Sequence, residues 1–247
     1  MDGITIALFL LSTFFGGLTT GIAGFAAGLV VSGVWLHIIT PLQTAVLIAA
    51  YGVVNQAYGI WKVRHALQWR RLLPFVIGGA VGVPLGAYLL TYINPAHIRT
   101  GVGVLLVAYS AYNLLRPAFT PVESNQPIDT GMGFLNGLLG GLTGLGGVIV
   151  TIWCQLGGGS KDAQRAVFQP VIFITMATTT LTFAAAGHLF NLDVIKLFFL
   201  GLPALLLGLW VGIKLYGKLD DAAFRKVILV LLLISGIFLI VPALVPQ

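Results

Sequence analysis

Two stretches of this 247-residue chain place glycine and threonine inside apolar segments. The first is Gly16-Gly17-Leu18-Thr19-Thr20-Gly21, continuing as Ile22-Ala23-Gly24-Phe25-Ala26-Ala27-Gly28. The second is Gly140-Gly141-Leu142-Thr143-Gly144, continuing as Leu145-Gly146-Gly147. Glycine at this density weakens a helix and lets a ligand approach the backbone. A helix broken inside a bilayer offers N–H groups and the positive end of its dipole, which together favour an anion. Thr19, Thr20 and Thr143 add hydroxyl donors. The expected anion-binding set is therefore Thr19, Thr20, Gly21, Gly24, Thr143, Gly144, Gly146 and Gly147. Close helix packing through small residues is the competing explanation. For Gly78, Gly82 and Gly86, and for Gly201, Gly208 and Gly212, the near-regular spacing makes packing the preferred one.

Polar side chains inside apolar spans are costly and tend to face a cavity or a partner helix. Gln43, Asn55 and Gln56 lie in one such span, and Gln169 precedes Pro170 in another. Gln43, Asn55 and Gln169 join the expected substrate-binding set. Arg165 joins it too, because a guanidinium suits sulfonate, carboxylate or phosphate oxygens; its bland alternative is a membrane-face anchor. Asn136 is placed to cap a helix or hold a loop. The threonines at 175, 178, 179, 180 and 182 cover more than one helix face, so some must hydrogen-bond their own helix. No Asp or Glu falls within an expected span, which disfavours a carboxylate relay. His37 is the proton-coupling candidate, against a structural role.

These residues need helices around them, and the composition supplies little else. The chain is 58% hydrophobic and 8% charged, with a mean hydropathy of +1.00. A soluble domain carries about 25% charged residues. The apolar runs do not alternate as barrel strands do, so an all-α integral membrane protein is expected. No nucleic-acid role follows from the net charge of +6, because the basic residues sit in short loops between apolar runs. One cysteine, Cys154, leaves no internal disulfide and no multi-cysteine metal site. No cleavable signal peptide is expected, and no cofactor or metal.

The chain divides into a first membrane repeat over 1–115, a linker over 116–130 and a second repeat over 131–247. Each repeat reads as a broken glycine-rich element followed by three spans. The elements are 4–36 and 131–157; the spans are 41–61, 71–92, 97–115, 164–186, 195–216 and 224–243. The Gly-Gly-Leu-Thr words begin at Gly16 and Gly140, a spacing of 124. Gly82 with Gly208, Gly86 with Gly212 and Arg99 with Arg225 recur at 126. The basic residues then choose a topology. If each broken element is re-entrant, Lys62, Arg64, Arg70, Arg71, Arg116, Lys161, Arg165, Lys214, Lys218, Arg225 and Lys226 share one side. Only Arg99 and Lys196 face the other. Inverted repeats with both termini outside are therefore expected.

The second-half motif Gly133-Phe134-Leu135-Asn136-Gly137-Leu138-Leu139-Gly140-Gly141-Leu142-Thr143-Gly144-Leu145-Gly146-Gly147 resembles a repeat of the TauE/SafE sulfite exporter family. In the first half, Leu67-Gln68-Trp69-Arg70 followed by Gly78, Gly79, Gly82, Gly86 and Ala87 resembles that family's Asp-Trp-Arg and spaced-glycine segment. The resemblance implies a membrane carrier that exports sulfite, organosulfonates or other organic anions. Three departures lie near the expected site. Gly21-Ile22-Ala23-Gly24 stands for a denser glycine run. Val150-Thr151-Ile152-Trp153 lacks a proline, and Ala166-Val167-Phe168-Gln169-Pro170 replaces a threonine-serine stretch.

The expected function is secondary transport of a small organic or sulfur-containing anion by alternating access around a site between the two glycine-rich elements. An anion channel and a membrane scaffold without transport are the alternatives. An enzyme is not expected, since no metalloprotease, nucleophile-elbow or phosphate-loop motif occurs. The expected partners are a small anionic substrate and the lipid bilayer of a bacterial inner membrane, with a homodimer left open and no nucleic acid.

Overall fold

A computed structural model describes residues 2–89, 92, 95–115, 122–143, 146–185, 187, 189 and 191–244. The described residues form ten α-helices and no strand. They are α1 (Gly3–Ala23), α2 (Ala27–Ile38), α3 (Pro41–Val63), α4 (Trp69–Leu89), α5 (Pro95–Leu115), α6 (Gln126–Thr143), α7 (Val148–Gly157), α8 (Lys161–Ala185), α9 (Leu192–Lys218) and α10 (Asp221–Leu244). Large apolar side chains such as Ile4, Leu73, Leu181, Leu207 and Phe238 stand exposed, as lipid-facing residues must. α1, α8, α9 and residues Asp221–Ile240 of α10 are each long and apolar enough to cross a bilayer. The protein is a multi-pass membrane protein.

Local chemistry sets the helix ends. Asp2 caps α1 by accepting the Thr5 N–H at 3.1 Å, and this hydrogen bonding from Thr5 holds its carboxyl below the usual range. Thr40 and Gln43 form a reciprocal capping box at the start of α3, with Pro41 at its first position. Asn191 caps α9. Asn125 Oδ1 accepts the Ile128 N–H at 3.0 Å, so α6 begins at Gln126. The start expected for this element was 131, which had left Asp129 in the linker.

The residues group into two units. One comprises Met1–Arg64 with Ile172–Leu219, the other His65–Val171 with Asp220–Gln247. Each unit takes helices from both halves of the sequence.

In the first unit, α1 and α9 run parallel. A Cβ on Gly17 would strike the Leu205 carbonyl, and one on Gly208 the Phe14 carbonyl. Gly21 approaches Gly212, whose Cα would lie 2.8 Å from an added Cβ. A core of Phe9, Val31, Trp35, Val46, Leu47, Tyr51, Val194, Leu197 and Leu205 fills the space among α1, α2, α3 and α9.

In the second unit, α4 and α6 repeat the same parallel pairing. Gly82 meets the Phe134 carbonyl, Gly86 the Leu138 carbonyl and Gly137 the backbone at Gly79. α5 and α10 pack antiparallel through Gly103 and Gly236, and Arg225 Nη2 donates to Asn113 Oδ1 at 3.2 Å. Gly78, Gly82 and Gly86 on α4 and Gly208 and Gly212 on α9 are thus contact surfaces between backbones, which only a residue without Cβ permits, whereas Gly201 faces the side chains of Tyr51 and Phe9.

Candidate functional site

The Gly-Gly-Leu-Thr words do not break their helices. Gly16, Gly17 and Gly21 lie within α1, and Gly140 and Gly141 within α6. Each break comes after the word. α1 ends at Gly24 (φ 87°), whose N–H bonds the Thr20 carbonyl at 2.7 Å. Two residues later Ala26 also has a positive φ of 75°, a state that costs an L-residue on the order of 1 kcal/mol. The chain thereby reverses, and α2 returns along α1: Trp35 stacks on Phe9 and donates to Ser12 Oγ at 2.9 Å. At 12 residues α2 is about 18 Å long, too short to span a bilayer core of about 30 Å.

The start of α2 carries no side-chain cap. The Leu29 and Val30 N–H groups reach the Ala26 carbonyl. The N–H groups of Ala27 and Gly28 have no intrahelical acceptor, as the first turn of any helix requires. Around this turn, Gln56 Nε2 donates to the Gly24 carbonyl at 3.0 Å, and the Thr20 hydroxyl to the Phe25 carbonyl at 3.5 Å. Gln56 Oε1 and both polar atoms of the neighbouring Asn55 amide are buried without a hydrogen-bond partner. Buried amides of this kind are rare in a finished core, so Asn55 and Gln56 have donors and acceptors to spare.

The second break has a different filling. α7 starts after Gly147 (φ 109°) and runs for 10 residues, about 15 Å. Asn136, 1% exposed on α6, turns its Oδ1 onto the N–H groups of Gly147 (2.9 Å) and Val150 (3.3 Å). Asn136 is thus the cap of α7, and its carbonyl oxygen occupies the place an anion would take. Further along α7, Thr151 Oγ1 and the whole Gln155 amide are buried without partners. On α8, Arg165 (2% exposed) and Gln169 (0%) stand one turn apart, and the Gln169 amide has no partner. α8 continues through Pro170, which frees the Ala166 carbonyl without ending the helix.

The structure places the expected residues unevenly. Thr20 and Gly24 meet at the first break, with Gln56; Gly146 and Gly147 meet at the second, with Asn136. Gly21 packs against α9, and the Thr19 hydroxyl goes to the Phe15 carbonyl at 2.7 Å. Thr178, Thr179, Thr180 and Thr182 likewise bond carbonyls one turn back. Gly144 lies outside the described residues, as do the side chain of Thr143 and all of His188. His37 and Gln43 are together, but away from the first break. They line a cavity of about 710 Å³ at the far end of α2 with Thr40, Asp193 and Lys196. The Gln43 carbonyl is occupied by the Thr40 N–H.

Asp129, which the expected bounds leave in the linker, lies in the helix that carries the second glycine word. It stands in the first turn of α6, 4% exposed, and accepts from Ser124 Oγ (2.6 and 2.7 Å) and Trp153 Nε1 (2.8 Å). Its distance from the apolar run hid it in the sequence.

A family model described as sulfite exporter TauE/SafE matches residues 9–239. No curated protein and no solved structure matches the chain.

Proposed function

The chain belongs to the TauE/SafE sulfite exporter family, and from that premise we propose that it carries a small organic or sulfur-containing oxyanion across the membrane by alternating access. The first glycine break supports this reading most. It combines N–H groups at Ala27 and Gly28 that have no intrahelical acceptor, a left-handed Gly24 and Ala26, and the buried Gln56, whose Nε2 donates to the Gly24 carbonyl. Such donors stabilise an oxyanion without burying a counter-charge that would trap it. In the other unit, the proposed contacts are Gly146 and Gly147 at the second break, and Arg165 and Gln169 on α8. There the anion displaces Asn136 Oδ1 from the α7 N-terminus. Export needs no carboxylate relay. Each expelled negative charge gains about 2.3 kcal/mol per 100 mV of inside-negative potential.

Flux into proteoliposomes tests the proposal. Sulfite, sulfoacetate, taurine, sulfate and simple carboxylates are offered with and without a pH gradient and a membrane potential. Saturable flux of an oxyanion, with counter-transport of labelled substrate, is expected. Non-saturating conductance would make the protein a channel. No flux of any anion through folded protein would refute the carrier.

A further inference from the structure

The cavity at the far end of α2 holds two opposite charges that do not pair. Asp193 and Lys196 are three residues apart on α9, so their Cβ atoms lie about 5–6 Å apart on one face. Among the described residues the one ion pair within 4.0 Å is His65–Asp162, so these two side chains do not close on each other. Asp193 is at home in the first turn of a helix, where a carboxylate meets the positive dipole end. Lys196 has no such reason: a cation near a helix N-terminus gains nothing from the dipole. The positive-inside bias does not account for it either, because the re-entrant topology puts it on the side opposite eleven other basic residues. The lining also includes the apolar Ile6 and Leu200, while His37 and Gln43 add polar atoms. The volume is that of a small-molecule pocket, not of a bare inorganic ion.

We infer that this cavity binds a zwitterion: an acid group on Lys196 and an ammonium on Asp193, joined by a short aliphatic link over Ile6 and Leu200. Two or three carbons between the charges give a span comparable to the Asp193–Lys196 separation. A free amino-alkane acid and the headgroup of an ethanolamine phospholipid share this chemistry. The inference does not require transport, and its test is equilibrium binding.

The full chain, in phosphatidylglycerol nanodiscs, is titrated calorimetrically with 3-aminopropanesulfonate, propanesulfonate and propylamine. The zwitterion is expected to bind at least ~10-fold more tightly than either single-charge fragment. Asp193→Asn should erase that preference, and Lys196→Gln should abolish binding of both acids; Lys196→Arg should restore it. These side chains are exposed, so the variants should melt with the parent. Repeating the titration in phosphatidylethanolamine nanodiscs separates the sources. Lost binding there identifies a lipid headgroup as the occupant, and unchanged binding identifies a soluble one. Equal affinity for the zwitterion and propanesulfonate, or full binding by both Asp193→Asn and Lys196→Gln, would overturn the inference. Loss of flux elsewhere with binding intact would fail the carrier alone.

Discussion

Trp153 donates its indole N–H to the Asp129 carboxylate at 2.8 Å, tying the middle of α7 back to the start of α6. The first unit uses the same device: Trp35 on α2 donates to Ser12 on α1 at 2.9 Å. The donor and acceptor are 24 residues apart in one case and 23 in the other. Each short helix is therefore held against its long neighbour at a point beyond its first turn, away from the glycine break. Trp153→Phe should leave part of a buried carboxylate without its donor and cost about 1–3 kcal/mol. Trp35→Phe, which leaves only a neutral hydroxyl, should cost about 1 kcal/mol. Thermal melts of the two variants in detergent check the order; a larger loss for Trp35→Phe would contradict it.

Asn136→Asp separates folding from transport. The new carboxylate keeps both hydrogen bonds to Gly147 and Val150 and suits a helix N-terminus. Melting temperature should hold. Flux should fall at least ~10-fold, because a fixed negative charge now competes with the travelling one. Normal flux would mean that the second break does not meet substrate.

The packing glycines should respond in the opposite way. A Leu at Gly208 or Gly82 drives a side chain into the Phe14 or Phe134 carbonyl and should destabilise by about 1–3 kcal/mol. Gly33 is the control, because a Cβ added there would meet nothing within 4 Å. Gly33→Ala should be neutral or slightly stabilising, since alanine favours a helix. Expression and melting temperature read both effects.

Ala26 offers a gain. Ala26→Gly removes the left-handed strain and should stabilise by roughly 0.5–1 kcal/mol, less the extra entropy of the unfolded chain. A lower melting temperature would show that the alanine methyl is a needed contact.

The long helices were readable because apolar runs of this length have few other uses. The expected span 195–216 became Leu192–Lys218, and 41–61 became Pro41–Val63. Register between the two glycine-packed helix pairs was not readable. The glycine words are 124 apart, yet Gly208 meets Phe14 and Leu18 where Gly82 meets Phe134 and Leu138. Those partners are 120 apart, so the words sit one helical turn out of step. A residue without Cβ permits both a close contact and a left-handed turn, and only φ tells them apart. Thus Gly17 and Gly24 look alike in sequence while one packs and the other reverses the chain. Asn136 was visible as a polar residue near a break, but its role as the α7 cap depends on a contact across 11 residues. The cavity at Lys196 joins residues from α1, α2, α3 and α9, which no local pattern announces.

The pairing of α1 with α9 sets a schedule for synthesis. Gly17 emerges from the ribosome roughly 190 residues before Gly208 on its partner helix is made. At about 5–20 residues per second that delay is roughly 10–40 s. α6, by contrast, finds α4 already in the membrane. The second unit's glycine pair can thus close while translation continues. The glycine face of α1 must wait, shielded by lipid or by the insertion machinery, and a helix made early is among the last to find its place.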